Sequence, residues 1–295
     1  MTPPSIGFIG LGHMGTALAM NLAHDGYPMT VYNRTRERAK PLADAGASVA
    51  DSPADVAMAS DVVITSLADD AAVEQVITGA HGVVHGAHEG LIVIDTSTIS
   101  PLTSCRIASI VRGAGGSMLD APISGSVKPV QERTIAFFVG GERAVFEQCR
   151  EILERLSAHV YYMGENGKGL YMKLATNLML GANLEVLCEA LALGEKAGLQ
   201  RAQIFEALEG TGLYNSFIEG RRQSILDEDY TPSFPLRLMY KDYGVILSTA
   251  QHLRIPLPVA AVATQLYGAA ANATPEADMA AIVKFIQGLA AAKPA

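Results

Sequence analysis

The stretch IGFIGLGHMG, Ile6–Gly15, sets Gly10, Gly12 and Gly15 in G-x-G-x-x-G spacing. A short apolar run leads into it and a helical pattern, TALAMNLAHDG, leads out. In that setting each glycine has its own task. Gly10 permits a tight turn, Gly12 lets backbone approach a pyrophosphate, and Gly15 allows the helix to pack closely on the strand. The helix N-terminus favours the anion. The spacing alone is a weak signal, but strand, loop, helix and second strand all fall within one βαβ length, which marks a dinucleotide-binding loop. Its six residues Gly10, Leu11, Gly12, His13, Met14 and Gly15 form the first expected cofactor contact.

The second strand, MTVYNRT, ends on Asn33, Arg34 and Thr35, where an acidic residue would take the ribose 2′-hydroxyl of NAD. With no carboxylate to repel it, a 2′-phosphate can meet a guanidinium and a hydroxyl, so the chemistry favours NADP, with NAD possible. Leu67, which ends DVVITSL, Ala68 directly after it, and Thr96, after LIVID, complete the cofactor set expected from this half of the chain.

Outward from this loop, β-rich runs alternate with helical patterns up to about Gly164. SIGFIG, MTVYN, DVVITSL, GLIVIDTS, SMLDAPIS, IAFFVGG and HVYYMG are the strand candidates. Beyond Gly164 the patterns are helical. The expected architecture is α/β: a Rossmann-type, doubly wound, mostly parallel sheet in residues 1–164, then an all-helical domain in 165–295 that begins with a long interdomain helix. A chain of 295 residues suits two cores better than one.

Composition narrows the class of partner. The formal charge of −8 and the lack of a basic stripe exclude a nucleic-acid surface. Three scattered cysteines, Cys105, Cys149 and Cys188, make no metal or disulfide spacing and suit a reduced, cytoplasmic setting. The opening MTPPSIGFIGLG lacks the basic start of a signal peptide, and IPLPVAAVATQLYGAAANA, broken by Pro256 and Pro258, reads as a buried helix rather than a membrane span. His81, His85 and His88 sit in a glycine-rich turn without zinc spacing, so no metal is expected.

Within the long apolar helix pattern GKGLYMKLATNLMLGANLEVL, Lys173 and Asn177 stand four residues apart and share a face. A lysine on an arbitrary helix belongs in solvent. Among Leu170, Leu174, Leu178 and Leu180 it belongs to a buried site, at the junction of two domains where clefts form. Ser124 and Gly125, just beyond a strand's carboxyl end, offer a turn whose N–H and hydroxyl groups suit a carboxylate. Thr98 and Ser100 are alternative N-caps for a helix opening at Pro101.

Four segments in order resemble the β-hydroxyacid dehydrogenase family, nearly end to end: GFIGLGHMG at Gly7–Gly15, DAPISGS at Asp120–Ser126, GKGLYMKLATN with Gly169, Lys173 and Asn177, and the pair Lys241–Asp242. SGSVKP and SFPLRLMYKD are most similar to the glyoxylate/succinic semialdehyde reductase subgroup. The resemblance implies an NADPH-dependent reductase of small carboxylate-bearing aldehydes, with oxidation of a β-hydroxy acid as the alternative. It implies Lys173 as catalytic residue, and Ser124, Gly125, Ser126 and Asn177 at the substrate. Phe234 and Asp242 would shape the closed site, Thr96 and Lys241 would contact the cofactor, and the protein would be a homodimer or homotetramer. The continuation SVKPVQER departs from the family's small residues, so substrate size does not transfer. A catalytically silent dinucleotide-binding module is the competing class.

Overall fold

The computed structural model describes residues 3–291; residues 1, 2 and 292–295, which the expected domains also include, lie outside the described residues. In chain order the first part runs β1 (Ile6–Ile9), α1 (His13–His24), β2 (Met29–Tyr32), α2 (Lys40–Asp44), β3 (Ser48–Val49), α3 (Pro53–Met58), β4 (Val62–Thr65) and α4 (Asp70–Thr78). It continues with β5 (Ile92–Asp95), α5 (Pro101–Gly113), β6 (Ser117–Asp120), β7 (Ile123–Ser124), α6 (Val127–Gln131), β8 (Ala136–Gly140), α7 (Arg143–Leu156) and β9 (His159–Gly164). The second part is α8 (Lys168–Lys196), α9 (Arg201–Glu209), α10 (Ser216–Leu226), α11 (Leu236–Leu253), α12 (Pro258–Ala273) and α13 (Ile282–Ala291). Contacts divide the chain inside α8, into one unit up to Lys173 and another from Leu174.

The sheet order is β3-β2-β1-β4-β5-β6-β8-β7, with β9 on β8. Every pairing from β3 to β6 is parallel, and β8 turns antiparallel to β6 and β7. Strands β1, β4 and β5 are buried along their whole length, as a sheet covered on both faces requires. Alternate side chains feed two cores. Phe8, Ile64 and Ile94 meet Leu18, Leu22 and Phe146 on one face, whereas Ile9, Val63 and Val93 meet Val56, Val73 and Ile107 on the other. The chain order reverses at β1, between β2 and β4, which is where open α/β sheets bind ligands.

Two details differ from the sequence reading. SMLDAPIS is not one strand: Pro122 has no N–H for the ladder, so β6 ends at Asp120 and the chain re-pairs as β7. The two-residue β3 was too short to leave a pattern. Ser100 takes the N-cap position of α5 without a side-chain capping bond.

The unit from Leu174 is helical, and among the described residues its only β-bridge is Pro235 with Asp278. Leu184, Leu187 and Leu191 of α8 pack with Phe205, Ile218, Met239, Tyr243 and Tyr267. Gly181 makes this packing possible, because a Cβ there would lie 2.5 Å from the Tyr243 hydroxyl. The two tyrosines end on helix backbone: Tyr243 donates to the Leu178 carbonyl (2.9 Å) and Tyr267 to that of Gly181 (3.0 Å). By length and composition α8 is apolar enough to cross a bilayer, yet Leu170 lies in the sheet unit's core and its later leucines in the helical core.

Glu185 of α8 is buried in this core with Oε1 unmatched. Burial, with Glu189 adding to it, pushes its carboxyl from 4.5 up to about 7. Below the lower value, folded and unfolded chains both hold the proton. As pH rises between the two values the unfolded chain ionises first, so stability falls, and the loss is complete above the upper value. Glu185→Gln should therefore melt at a higher temperature than the parent at about pH 8 and at the same temperature near pH 4.5, a gap of up to about 3 kcal/mol. Melting curves across pH check this; a gap that does not change with pH contradicts it.

Candidate active site

One hydrogen-bonded row crosses the carboxyl edge of the sheet: Tyr32, Ile9, Thr65, Asp95, Asp120 and Gly140 are successive register partners. The sequence-identified residues of the first unit leave the sheet from this row. Gly10, one step past Ile9, has φ +96°, and a Cβ there would collide with the Ser66 carbonyl. Gly15 lies so close to the Gly10 carbonyl that a Cβ would overlap it. At Gly12, the N-cap of α1, a Cβ would meet nothing within 4 Å. The first and third glycines are thus demanded by packing, and the second borders open space at a helix N-terminus. The first turn of α1 carries no acidic side chain. This cradle fits a pyrophosphate.

Asn33 has a structural task that its position alone did not announce. Its Oδ1 accepts the Leu11 N–H (2.9 Å), and its Nδ2 donates to the Thr35 carbonyl (2.8 Å). The amide braces the glycine loop against the turn after β2, where Arg34 and Thr35 are exposed. Arg36, next along, pairs with Asp51 at 2.5 Å. Leu67 closes the other side: its N–H donates to Ser97 Oγ (2.9 Å), and its side chain lies near Gly10. Ala68 and His13 are exposed and Met14 is half-buried. Thr96 is buried, and its hydroxyl donates to the Thr65 carbonyl (2.7 Å), which leaves only acceptor capacity toward a ligand.

Two buried carboxylates stand side by side in the row. Asp95 Oδ1 accepts from the Thr65 hydroxyl (2.7 Å) and the Ser97 hydroxyl (2.6 Å), while Oδ2 has no partner. Asp120 Oδ1 accepts the Gly167 N–H (2.6 Å) and Oδ2 the Leu170 N–H (3.0 Å). Burial pushes both carboxyls up, against the pull of those donors. Two residues past β6 and Ala121–Pro122, β7 delivers Ser124 to the surface, half-buried. Gly125 follows at φ +147°, and a Cβ there would also press to 2.6 Å from Ile135. Ser126 is the N-cap of α6 with no capping bond from its side chain.

Lys173 is 8% exposed and Asn177 2%, four residues apart on one face of α8. Asn177 Nδ2 donates to Asp242 Oδ2 (2.6 Å), and Asp242 Oδ1 lies 2.8 Å from Lys241 Nζ. That amide orientation follows from the hydrogen bond, since only a donor suits a carboxylate. Asn177 Oδ1 is then the acceptor end of the amide, turned away from Asp242. Phe234, half-buried, precedes α11 and is held by Asp278, whose Oδ2 accepts the Ser233 and Phe234 N–H groups at 2.9 and 3.0 Å. The structure so brings together Asn177, Lys241 and Asp242 in the helical unit. In the sheet unit it gathers the glycine loop with Asn33 and Leu67. Asp95 and Asp120 escaped the sequence reading, although both lie inside motifs quoted for other residues. Among the described residues no cluster of histidine, cysteine or acidic groups could hold a metal.

Comparison with known proteins agrees with this geometry. Residues 5–164 match the NAD binding domain of 6-phosphogluconate dehydrogenase, and residues 167–286 match the NAD-binding family of NADP-dependent 3-hydroxyisobutyrate dehydrogenase. Glyoxylate/succinic semialdehyde reductase 1 of Arabidopsis thaliana is 32% identical over 283 residues, 96% of this chain and 98% of that protein. The chain belongs to the β-hydroxyacid dehydrogenase family. It is an NAD(P)-dependent oxidoreductase with a Rossmann-type domain followed by a helical one. Within the family, 2-hydroxy-3-oxopropionate reductase of Escherichia coli K12 is 33% identical over 97% of this chain and 98% of its own length. A structure of Mycobacterium tuberculosis 3-hydroxyisobutyrate dehydrogenase with L-serine superposes with a TM-score of 0.89 at 27% identity, covering 97% of this chain and 99% of that one.

The glycines give a paired test. Gly15→Ala should lower the melting temperature by several degrees, an overpacking cost of about 1–3 kcal/mol. Gly12→Ala should leave melting unchanged but weaken dinucleotide binding at least about tenfold. Calorimetry and cofactor titration on both variants separate the two roles, and the assignment fails if Gly12→Ala binds as the parent does.

Proposed function

We propose that this family member reduces small carboxylate-bearing aldehydes of the glyoxylate or succinic semialdehyde type with NADPH, Lys173 supplying the proton. The observation that carries the reading is the buried Lys173–Asn177 pair on one face of α8. Burying an ammonium is costly, and a reaction that uses its charge and its proton is a physical reason to hold it there.

The bound cofactor supplies hydride to the carbonyl carbon. As negative charge grows on the carbonyl oxygen, the Lys173 ammonium stabilises it and donates the proton that completes the alcohol. In the oxidative direction the neutral amine accepts the alcohol proton. Asn177, its Nδ2 engaged by Asp242, offers Oδ1 to a substrate hydroxyl or to the ammonium without adding charge. Ser124, Gly125 and Ser126 hold the substrate carboxylate through hydroxyl and N–H groups. Phe234 gives the site an apolar wall, and Lys241, paired with Asp242, contacts the cofactor. The glycine loop, Asn33, Leu67, Ala68 and Thr96 hold the dinucleotide. Arg34 and Thr35, following Asn33 where an acidic residue would repel it, favour the 2′-phosphate.

The same reading extends to self-association. Met172, Met179, Val186 and Leu193 of α8 are exposed and recur every seventh residue, with Ala175 and Ala182 between them. An antiparallel second copy would set Met179 against Ala182 and Val186 against Ala175, large against small. Lys173 and Asn177 lie on roughly the opposite side of the helix, so this pairing leaves them uncovered.

A panel of short aldehydes, β-hydroxy acids and imines with NADPH and NADH tests the activity. Aldehydes with NADPH should give the highest kcat/KM, and no turnover on any of them would point to a silent module. Lys173→Ala should bind NADPH as the parent does and lose about 10²–10⁴-fold in kcat; near-parental turnover ends the lysine assignment. Met179→Glu combined with Val186→Glu should lower the mass measured by light scattering, and an unchanged mass rules the stripe out.

A further inference from the structure

We propose that Asp120 is the positioning residue for Lys173, and that it couples the lysine's placement to that of the substrate loop. The inference rests on the reading of Lys173 as proton donor.

The start of α8 needs acceptors for N–H groups that have no intrahelical partner. Two of its donors end on one side chain: Gly167 on Asp120 Oδ1 at 2.6 Å and Leu170 on Oδ2 at 3.0 Å. The carboxylate is fully buried and sits at the positive end of the helix dipole. The fit leaves no slack. A Cβ on Gly140 would stand 2.6 Å from Oδ1, and one on Gly169 would stand 2.9 Å from Oδ2 while overlapping the Phe138 carbonyl. Asn166 adds a further tie, its Nδ2 donating to the Met118 carbonyl of β6 at 2.8 Å. The first turn of α8 is thus seated on β6 and β8 by hydrogen bonds and by steric contact together.

Lys173 follows Gly169 by one turn and shares its face. Its Cα therefore inherits whatever position Asp120 imposes on the turn below. Asp120 is also the last residue of β6, and the chain runs from it through Ala121–Pro122 to Ser124 and Gly125. One carboxylate is in this way the common origin of the loop that would hold the substrate and the helix that would protonate it. Asp95, its register partner, has no such link: its donors come from Thr65 and Ser97, both on its own side of the sheet edge.

Asp120→Asn keeps one acceptor and turns the other into a donor facing an N–H group, which shifts the helix start without removing the residue. A small misplacement of a reacting group lowers the rate steeply, so kcat should fall about 10- to 100-fold. KM for NADPH should stay within about twofold, because the dinucleotide loop is built on β1 and α1. The deciding measurement is the double variant with Lys173→Ala. If Asp120 acts through Lys173, adding Asp120→Asn to Lys173→Ala should cost less than about twofold further. An equal fold-loss in both backgrounds, or parental kcat in Asp120→Asn alone, overturns the inference while the lysine reading stands. Parental kcat in Lys173→Ala alone removes the lysine reading, and this inference with it. Should Asp120→Asn not fold, Asp120→Ser, which is smaller than the space and withdraws the paired acceptors, carries the same cycle with the same outcomes.

Discussion

The N–H groups of Gly167 and Leu170 point into the protein, and both end on Asp120. Most buried helix starts are served by a capping side chain from the preceding residue. Here the acceptor comes from a strand, and the bond fastens a long helix to the edge of a sheet. Burial pushes the Asp120 carboxyl up, and the donors around it pull the other way. The helix dipole acts in the same sense as the donors. Because the sheet register runs unbroken from Tyr32 through Thr65 and Asp95 to Asp120, the end of each strand is fixed against its neighbour. The glycine loop, the Thr96 turn and the Ser124 turn all leave from that one edge.

The apolar character of α8 is a consequence of what surrounds it rather than of any single amphipathic stripe. Leu170 belongs to the core of the sheet unit, and Leu184, Leu187 and Leu191 to that of the helical unit. The methionine and valine stripe adds a third apolar face. Lys173 and Asn177 stand on the helix's buried side, one helical repeat before Leu184 and Leu191 on that same side. Each polar group buried along this helix has a different environment. Asn177 is matched by Asp242, whereas Glu185 is left with an oxygen that nothing satisfies, and its carboxyl rises to about 7 accordingly. A helix with one satisfied and one unsatisfied polar side chain two turns apart indicates that burial alone did not select them.

Steric requirements were the most legible part of the sequence. Gly10 and Gly15 are glycine because a carbonyl occupies the space a Cβ would need, and that constraint survives any change of neighbours. Strands buried on both faces were legible as apolar runs, since nothing polar interrupts VVIT or IVID before the last residue. Asp120 was not legible as an anchor, although it opens the quoted DAPISGS segment. Its partners come from the chain 47 and 50 residues later, and no local pattern announces that return. The β6–β7 break followed from Pro122, a residue visible in the sequence whose effect depended on which strand lay alongside. Asn33 was read for what it lacks, a carboxylate, and its two hydrogen bonds became visible only once the glycine loop stood beside it.

Those two bonds sharpen the argument over cofactor choice. Asn33 needs an acceptor for Leu11 and a donor for Thr35, and an amide provides both. An aspartate at this position would still accept from Leu11. It would face the Thr35 carbonyl with a second oxygen, losing a bond and setting two acceptors together. It would also bring negative charge to the turn that displays Arg34 and Thr35. On the proposed reading, the residue that rejects a 2′-phosphate in NAD-selective sites is therefore disfavoured here twice, by the cofactor and by the loop's own bracing. Selectivity for the phosphate and rigidity of the glycine loop then rest on the same side chain, so neither can drift without disturbing the other.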